Sequence, residues 1–203
     1  MVHAEVGKRT EKEAKVFILG LLGKLSGPRP LFTSDELPHY KTVLAESHST
    51  CIPVPPTGKR GRPRNPIRCL DPELMYATVH KERKNGRVIK VEQRIIFGKE
   101  RDIIKVLENS SVSHSINTSY VERNNLNLRQ HSRRLTRRTI GFSKVKRNLV
   151  AQVILVMAYC NFVRSHCSLK IRGKQERTPA MAAGLTDHKW SMEELLTYRV
   201  PNN

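Results

Sequence analysis

The chain has 203 residues, of which 38% are hydrophobic, and it carries a formal net charge of +19. This length is enough for one or two domains with a real core. A charge of this size favours a polyanion as partner, either nucleic acid or an anionic membrane surface. No apolar run approaches the length of a membrane span and no signal peptide precedes Val6, so nucleic acid is the favoured partner and no membrane is expected.

Cysteine and aromatic content further limit the class of protein and its cellular compartment. The four cysteines form no CxxC pair, which predicts reduced thiols in a cytoplasmic protein. Aromatic residues make up only 5% of the chain. A general RNA-binding protein with a stacking platform is therefore disfavoured.

The first elements in the chain place an aspartate at the end of a strand. Thr10 and Glu13 form a capping-box pattern ahead of apolar residues at helical spacing, which predicts an amphipathic helix. A short strand over 30–33 leads into Ser34 and Asp35, and a short helix is expected over 40–46. Ligands gather at strand ends in open α/β sheets, so Asp35 is a candidate site residue. The alternative is an ordinary turn or N-cap aspartate.

Residues 49–72 are rich in proline and charge and poor in apolar side chains. Within them, residues 60–63 (RGRP) resemble the core of an AT-hook. Glycine and proline there would hold an extended path, and Arg60, Arg62 and Arg64 could enter a narrow minor groove. The alternative is a basic linker with no specific partner.

The next segments predict a hairpin and a connector. Residues 74–81 and 87–97 are strand-like and flank Asn85-Gly86, the strongest short hairpin signal. Residues 101–108 predict a short helix or a connector. Further on, Ser143 is expected to cap a long, buried packing helix, Thr178-Pro179 to open a short helix that Gly184 closes, and Ser191 to cap a last one.

Residues 119–138 (SYVERNNLNLRQHSRRLTRR) form the most basic stretch and are predicted to be helical. Ser119 and Glu122 form a capping-box pattern, and a narrow apolar stripe is expected to be buried. Glu122 is the only acid between positions 121 and 150, among nine lysines and arginines. Arg129 lies about two turns after Glu122 and hence on the same face. A carboxylate and a guanidinium in a basic field suit a metal and a phosphodiester together; the alternative is a solvated surface helix.

Several motifs in order resemble bacterial DDE transposases of the insertion-sequence-one type. They are residues 125–131 (NLNLRQH), 134–139 (RLTRRT), 142–144 (FSK), 6–10 (VGKRT), Ser34-Asp35 with Pro38 and Tyr40, 159–169 (YCNFVRSHCSL) and 178–190 (TPAMAAGLTDHKW). The resemblance implies an α/β, ribonuclease H-like fold. It also implies an acidic triad that holds Mg²⁺ or Mn²⁺ and cleaves and joins DNA strands.

The resemblance assigns residues to that chemistry. It implies that Asp35 is the second acid of the triad and Glu122 the third. Both residues would be catalytic, and both would be metal ligands. The DNA-binding set comprises the three hook arginines (Arg60, Arg62 and Arg64) and the basic stretch (Arg123, Arg129, Arg133, Arg134, Arg137, Arg138 and Lys144). Transposon ends and target DNA are the implied partners, together with a second copy or an upstream transposase fragment.

The resemblance also divides the chain into four parts. Residues 1–48 form the first part of the core, 49–100 an insertion with the hook and hairpin, 101–165 the catalytic and packing helices, and 166–203 a helical tail. The first triad acid should precede Val6, so a C-terminal catalytic fragment, inactive by itself, is expected. Three hypotheses follow: a transposase fragment, an inactive DNA-binding remnant or regulator, and a poorly folding remnant.

Overall fold

The computed structural model describes residues 1–27, 29–55, 65–110, 113–170 and 176–199. It divides into two compact units. The first, Gly7–Tyr120, is called the sheet unit here. The second combines Met1–Val6 with Val121–Asn203 and is called the helical unit. Each unit is described by itself.

The sheet unit is a mixed α/β arrangement, which confirms the predicted α/β class. Its elements are α1 (Glu11–Leu22), β1 (Leu31–Asp35), α2 (Pro38–Ser47), β2 (Ser49–Ile52), β3 (Ile67–Leu70), β4 (Met75–Lys84), β5 (Arg87–Phe97) and α3 (Glu100–Glu108). One sheet has the order β1-β4-β5, with β1 parallel and β5 antiparallel to β4. β2 and β3 form a separate antiparallel pair.

The sheet carries a small core on each face because side chains alternate along β4. Tyr76 is 1% exposed and packs with buried residues of α1 and α2. Ala77 and Val79 are also buried, and they pack with Ile103 of α3 and with Ile116. Helices therefore cover the sheet on both sides at the end where β1 pairs with β4.

Several sequence predictions in this unit are confirmed. The side chain of Thr10 accepts a hydrogen bond from the backbone N–H of Glu13, as the capping box predicts. Asn85 and Gly86 have φ angles of 50° and 78°, the left-handed values that a two-residue hairpin turn requires. The pair β2 and β3 was not predicted, because prolines and charges dominate residues 49–72.

The helical unit contains α4 (Ser119–His131, which begins two residues before the unit boundary), α5 (Lys146–Ala158), α6 (Pro179–Ala182) and α7 (Met192–Thr197). Short 3-10 turns lie at Arg133–Leu135 and Cys167–Leu169, and a π turn at Tyr159–Val163 follows α5. Trp190 packs against Phe162 and Tyr198, at ring centroid distances of 4.6 and 5.1 Å. The N-terminal amino group of Met1 donates to Asn161 Oδ1 at 2.8 Å. Aromatic packing and hydrogen bonds thus connect the elements of this unit.

The predicted caps of the last two helices are confirmed. Thr178 accepts a hydrogen bond from the backbone N–H of Met181, and Ser191 accepts one from Glu194. Gly184 follows α6 with a φ of 72°.

The central basic stretch differs from its prediction in three respects. Its α-helix ends at His131, because Ser132 is extended with φ −142° and ψ 112°. Ser119 is the first helical residue, and its backbone N–H donates to Asn117 Oδ1 at 3.1 Å. No residue of α4 is buried, so the expected buried stripe is wrong. Polar side chains leave this helix too little apolar surface to bury.

The predicted buried packing helix is only partly buried. In α5 only Val153 and Val156 are buried, and Ile154 is 60% exposed. The helical stretch Lys146–Leu169 is long and apolar enough to cross a membrane by length and composition. It contains an 18-residue window with a mean hydropathy of 1.3. The expectation that no apolar run reaches such a length is therefore wrong by this measure. One such helix is weak evidence for a membrane span, since core helices pass the same test.

Candidate functional site

Asp35 is the last residue of β1, with an exposed side chain beside the parallel strand β4. Its register partner is Val79. The backbone around it is held by two hydrogen bonds: Leu37 N–H donates to the Asp35 carbonyl at 2.8 Å, and Ser34 Oγ donates to the same oxygen at 2.6 Å. Ser34 Oγ also lies 2.8 Å from the Tyr76 hydroxyl. Buried neighbours thus fix the strand end that carries an exposed carboxylate.

The charge of Asp35 contributes to raised pKa values of two tyrosines. Burial raises the pKa of Tyr40, the Asp35 carboxylate raises it further, and Arg9 opposes the shift. Burial also raises the pKa of Tyr76, and Asp35 again adds to the effect. Both phenols therefore remain neutral donors at physiological pH and contribute no second negative charge beside Asp35.

A charged cluster follows directly after Asp35 and was not found by sequence reasoning. The carboxylate of Glu36 bonds to His80 Nδ1 and accepts from Arg94 Nη1 at 2.8 Å. Arg94 Nη2 also donates to Glu92 at 2.6 Å. These residues are far apart in the chain and meet only because β1, β4 and β5 are neighbours, so no local motif indicates them.

Glu122 lies in the first turn of α4 and is exposed. A carboxylate at this end of a helix interacts favourably with the helix dipole. The other end of α4 is tied to the rest of the helical unit. Arg164 Nη1 lies 2.7 Å from His131 Nε2, and the His131 ring packs edge-on against Tyr159 at 5.4 Å.

The basic residues predicted to bind DNA fall into three groups. Arg123 and Arg129 lie on α4, and Arg129 is half-buried. The rest of the basic stretch lies beyond the helix, and its side chains are exposed: Arg133, Arg134, Arg137, Arg138 and Lys144. Arg134 Nη1 donates to Ser143 Oγ at 2.7 Å, and Arg138 adopts a φ of 55°. The hook arginines Arg60, Arg62 and Arg64 lie outside the described residues.

Asp35 and Glu122 are the candidate metal ligands. Carboxylate oxygens suit Mg²⁺ and Mn²⁺, so the donor chemistry of Asp35 and Glu122 fits. Among the described residues, however, no group of three or more His, Cys, Asp or Glu side chains could hold a metal ion. Asp35 belongs to the sheet unit and Glu122 to the helical unit.

These features define a basic protein with an α/β unit and an exposed arginine-rich segment suited to a polyanion. Residues 99–161 match the family model for the IS1 transposase, over about a third of the chain. The match confirms the resemblance to DDE transposases of the insertion-sequence-one type and indicates a transposase-type function. It includes Glu122 and the basic stretch, and Asp35 lies outside it. Comparisons with curated proteins and with solved structures gave no match.

Proposed function

We propose that this protein is a DDE-type transposase polypeptide that binds DNA and acts in the cleavage and strand transfer of transposon DNA. The observation that carries the proposal is the family match over 99–161, which coincides with the most basic part of the chain. A ribonuclease H-like core is part of the proposal. The mixed sheet with helices on both faces, and an aspartate at a strand end, support it.

DNA binding is assigned to the basic stretch that follows Glu122. Its exposed guanidinium groups can neutralise phosphates and release counterions, which is the main source of affinity in such complexes. Transposon ends and target DNA are the proposed partners, the cytoplasm is the proposed location, and self-association is part of the proposal. The hook arginines are assigned to the same role from their sequence alone.

Asp35 and Glu122 are assigned to the metal-dependent step. When bound, the divalent ions of such a site supply activation of the attacking oxygen and stabilisation of the leaving oxygen. The chain's own contribution is to hold each carboxylate exposed on ordered backbone. Asp35 is placed by the Ser34 and Leu37 hydrogen bonds, and Glu122 by the first turn of α4.

A second candidate is DNA binding without catalysis, as a regulator of a complete enzyme. The exposed side chains of the basic stretch favour it, because they can bind phosphates without a metal ion. The two candidates agree on the basic stretch and differ only on the two acids.

Mn²⁺ binding to the full chain, followed by calorimetry and electron paramagnetic resonance, separates the candidates. If the two acids share a metal, Asp35→Asn and Glu122→Gln should each weaken Mn²⁺ binding by at least about 10-fold, because even outer-shell substitutions can cost that much. Duplex DNA affinity should stay the same or rise, since each change removes negative charge.

Matched controls are Asp102→Asn and Glu108→Gln, which remove one carboxylate each from α3, where Glu108 is exposed and Asp102 is half-buried. They should leave Mn²⁺ binding unchanged. If Asp35→Asn and Glu122→Gln behave like these controls while the protein still binds DNA, the binding-only candidate takes precedence. Absence of any DNA binding would contradict both candidates.

A further inference from the structure

The hairpin β4–β5 continues beyond the part of the sheet that the helices cover. The buried positions of β4 end at Val79, and residues 82–91 are all exposed. From Lys81 to the turn at Asn85 and Gly86, each strand extends by roughly 10 Å at about 3.4 Å per residue. The outer hairpin, defined as residues 81–91, is thus a two-stranded ribbon without a buried core.

At the base of the ribbon, two cations, Lys90 and Arg94, have acidic partners. Arg94 bonds to Glu36 at 2.8 Å and to Glu92 at 2.6 Å, and Lys90 Nζ lies 2.5 Å from Glu92. Hydrogen bonds from Lys90 and Arg94 lower the pKa of Glu92 to about 2. The charges in this region are compensated within the protein.

At the tip, the pattern is reversed. Lys84 and Arg87 are direct register partners next to the turn, and Arg83 pairs with Val88. Among the described residues, none of these three cations forms an ion pair. Like charges directly opposite each other destabilise a strand pair. Lys84 and Arg87 therefore do not stabilise the hairpin by pairing with each other. An anion outside the chain could compensate their charge.

The composition of the outer hairpin matches such a partner. It contains five lysines and arginines and a single acid, Glu82. Its apolar side chains are also exposed: Val88 is 43%, Ile89 is 55% and Val91 is 54% exposed. A register shift between Glu82 and Arg83 leaves Ile89 without an opposite residue, and such bulges increase the local twist of a ribbon.

We propose that the outer hairpin is a DNA-binding arm that enters a groove of duplex DNA, with Arg83, Lys84 and Arg87 at its tip contacting phosphates. This inference rests on the proposed DNA-binding function and adds a contact surface outside the basic stretch. A two-stranded ribbon fits the major groove, which is about 12 Å wide and about 8.5 Å deep. Exposed valine and isoleucine side chains can contact thymine methyl groups there.

The test compares the salt dependence of binding for charge-matched variants of the full chain. Binding of a labelled random-sequence duplex is followed by fluorescence anisotropy over a range of salt concentrations. Lys84→Gln with Arg87→Gln should reduce the slope of log affinity against log salt by about 2, because each lost phosphate contact accounts for about 0.9. Lys84→Glu with Arg87→Glu should weaken binding further.

The matched control is Lys12→Gln with Lys41→Gln, which removes two exposed cations from α1 and α2 of the same unit. It lowers net charge equally and should leave the slope nearly unchanged. Circular dichroism checks that each variant is folded; all four positions are exposed, so the fold should persist.

The outcomes separate this inference from the proposed function. If the hairpin variant matches its control while Arg133→Gln with Arg137→Gln still lowers the slope, the arm is wrong and the proposed function stands. If the hairpin variant instead aggregates with an unchanged slope, the tip cations only protect a strand edge, and the arm is again wrong. A wild-type chain that shows no salt-dependent binding contradicts both.

Discussion

The two candidate acids occupy contrasting surroundings. Asp35 ends a strand whose neighbours are buried: Tyr76 is 1% exposed and Leu44, in the same core cluster, is also 1% exposed. Glu122 lies on a helix with no buried residue. The sheet unit therefore holds its carboxylate by packing, which dominates folding energetics. The helix that carries Glu122 depends on its ends and on surface polar contacts.

This difference indicates how each region responds to change. Substitutions in the sheet unit that remove buried volume should act on stability. Substitutions on the basic stretch should act on DNA affinity, because exposed charges contribute little to folding.

The largest effect is expected from Leu44→Ala. Removing a fully buried leucine leaves a cavity and should cost about 2–5 kcal/mol of stability. Leu126→Ala, on the 40% exposed position of α4, should cost less than about 0.5 kcal/mol. Urea unfolding followed by circular dichroism measures both.

Trp190 provides a second readout for the Leu44→Ala experiment. It is the only tryptophan and lies in the helical unit, so its fluorescence reports on that unit alone. The urea midpoint measured by Trp190 fluorescence should not change in Leu44→Ala, whereas the midpoint measured by circular dichroism should fall. Equal shifts of both signals would mean that the two units unfold together, and the contrast between them would be lost.

An intermediate effect is expected from Arg133→Gln with Arg137→Gln. Both side chains are exposed and beyond the end of α4. If each contacts a phosphate, the salt slope of duplex binding should fall by about 2, with little change in urea unfolding. Lys189→Gln is the control, because Glu176 already compensates Lys189 at 3.3 Å. Because the control removes one charge and the variant removes two, a fall half as large in the control would mean that net charge alone governs binding.

The smallest effect is expected at His188 in the helical unit. Its Nδ1 lies 2.6 Å from Asp187 and its Nε2 lies 2.9 Å from Glu194. Hydrogen bonds to Asp187 and then to Glu194 raise the pKa of His188 above its ordinary 6.5. The associated stabilisation is therefore fully present below pH 6.5 and is lost as pH rises through the folded-state pKa.

Proton NMR of the His188 ring measures this directly. Its titration midpoint should lie above 6.5, and Glu194→Gln should lower it. His39→Gln, in the sheet unit, should leave it unchanged. A midpoint at or below 6.5 in the unmodified protein would show that Asp187 and Glu194 do not hold the His188 ring as hydrogen-bond partners in solution.

Local features were predictable from sequence because their causes are local. The Thr10, Thr178 and Ser191 caps and the Asn85-Gly86 turn follow from side-chain hydrogen bonds and φ preferences within a few residues. The resemblance found in residues 125–144 was confirmed by the family match over 99–161. The roles of Asp35, Glu122 and the hook arginines stay predictions, as does the four-part division.

Features that depend on distant residues were not predictable. The end of α4 at His131 and the exposure of α5 reflect how much apolar surface the rest of the unit can cover, which periodicity does not reveal. The Glu36, His80 and Arg94 cluster forms because β4 lies between β1 and β5, and strand order is not encoded in any single segment.

The sequence by itself determined the charge, the hairpin and the caps at Thr10, Thr178 and Ser191, since each depends on composition or on residues close in the chain. Its resemblance to transposases of the insertion-sequence-one type also indicated the α/β class. Only the tertiary structure decided which distant charges meet. Arg94 bonds to Glu36, 58 residues away in the chain, because β1, β4 and β5 are neighbours. Glu92, in contrast, lies two residues from both Lys90 and Arg94 on the same strand, so those two contacts are local. Within the described part of the chain, Lys84 and Arg87 have no carboxylate partner, because the ribbon that carries them extends past β1 and the covering helices. The sequence alone does not distinguish these two cations from the compensated ones.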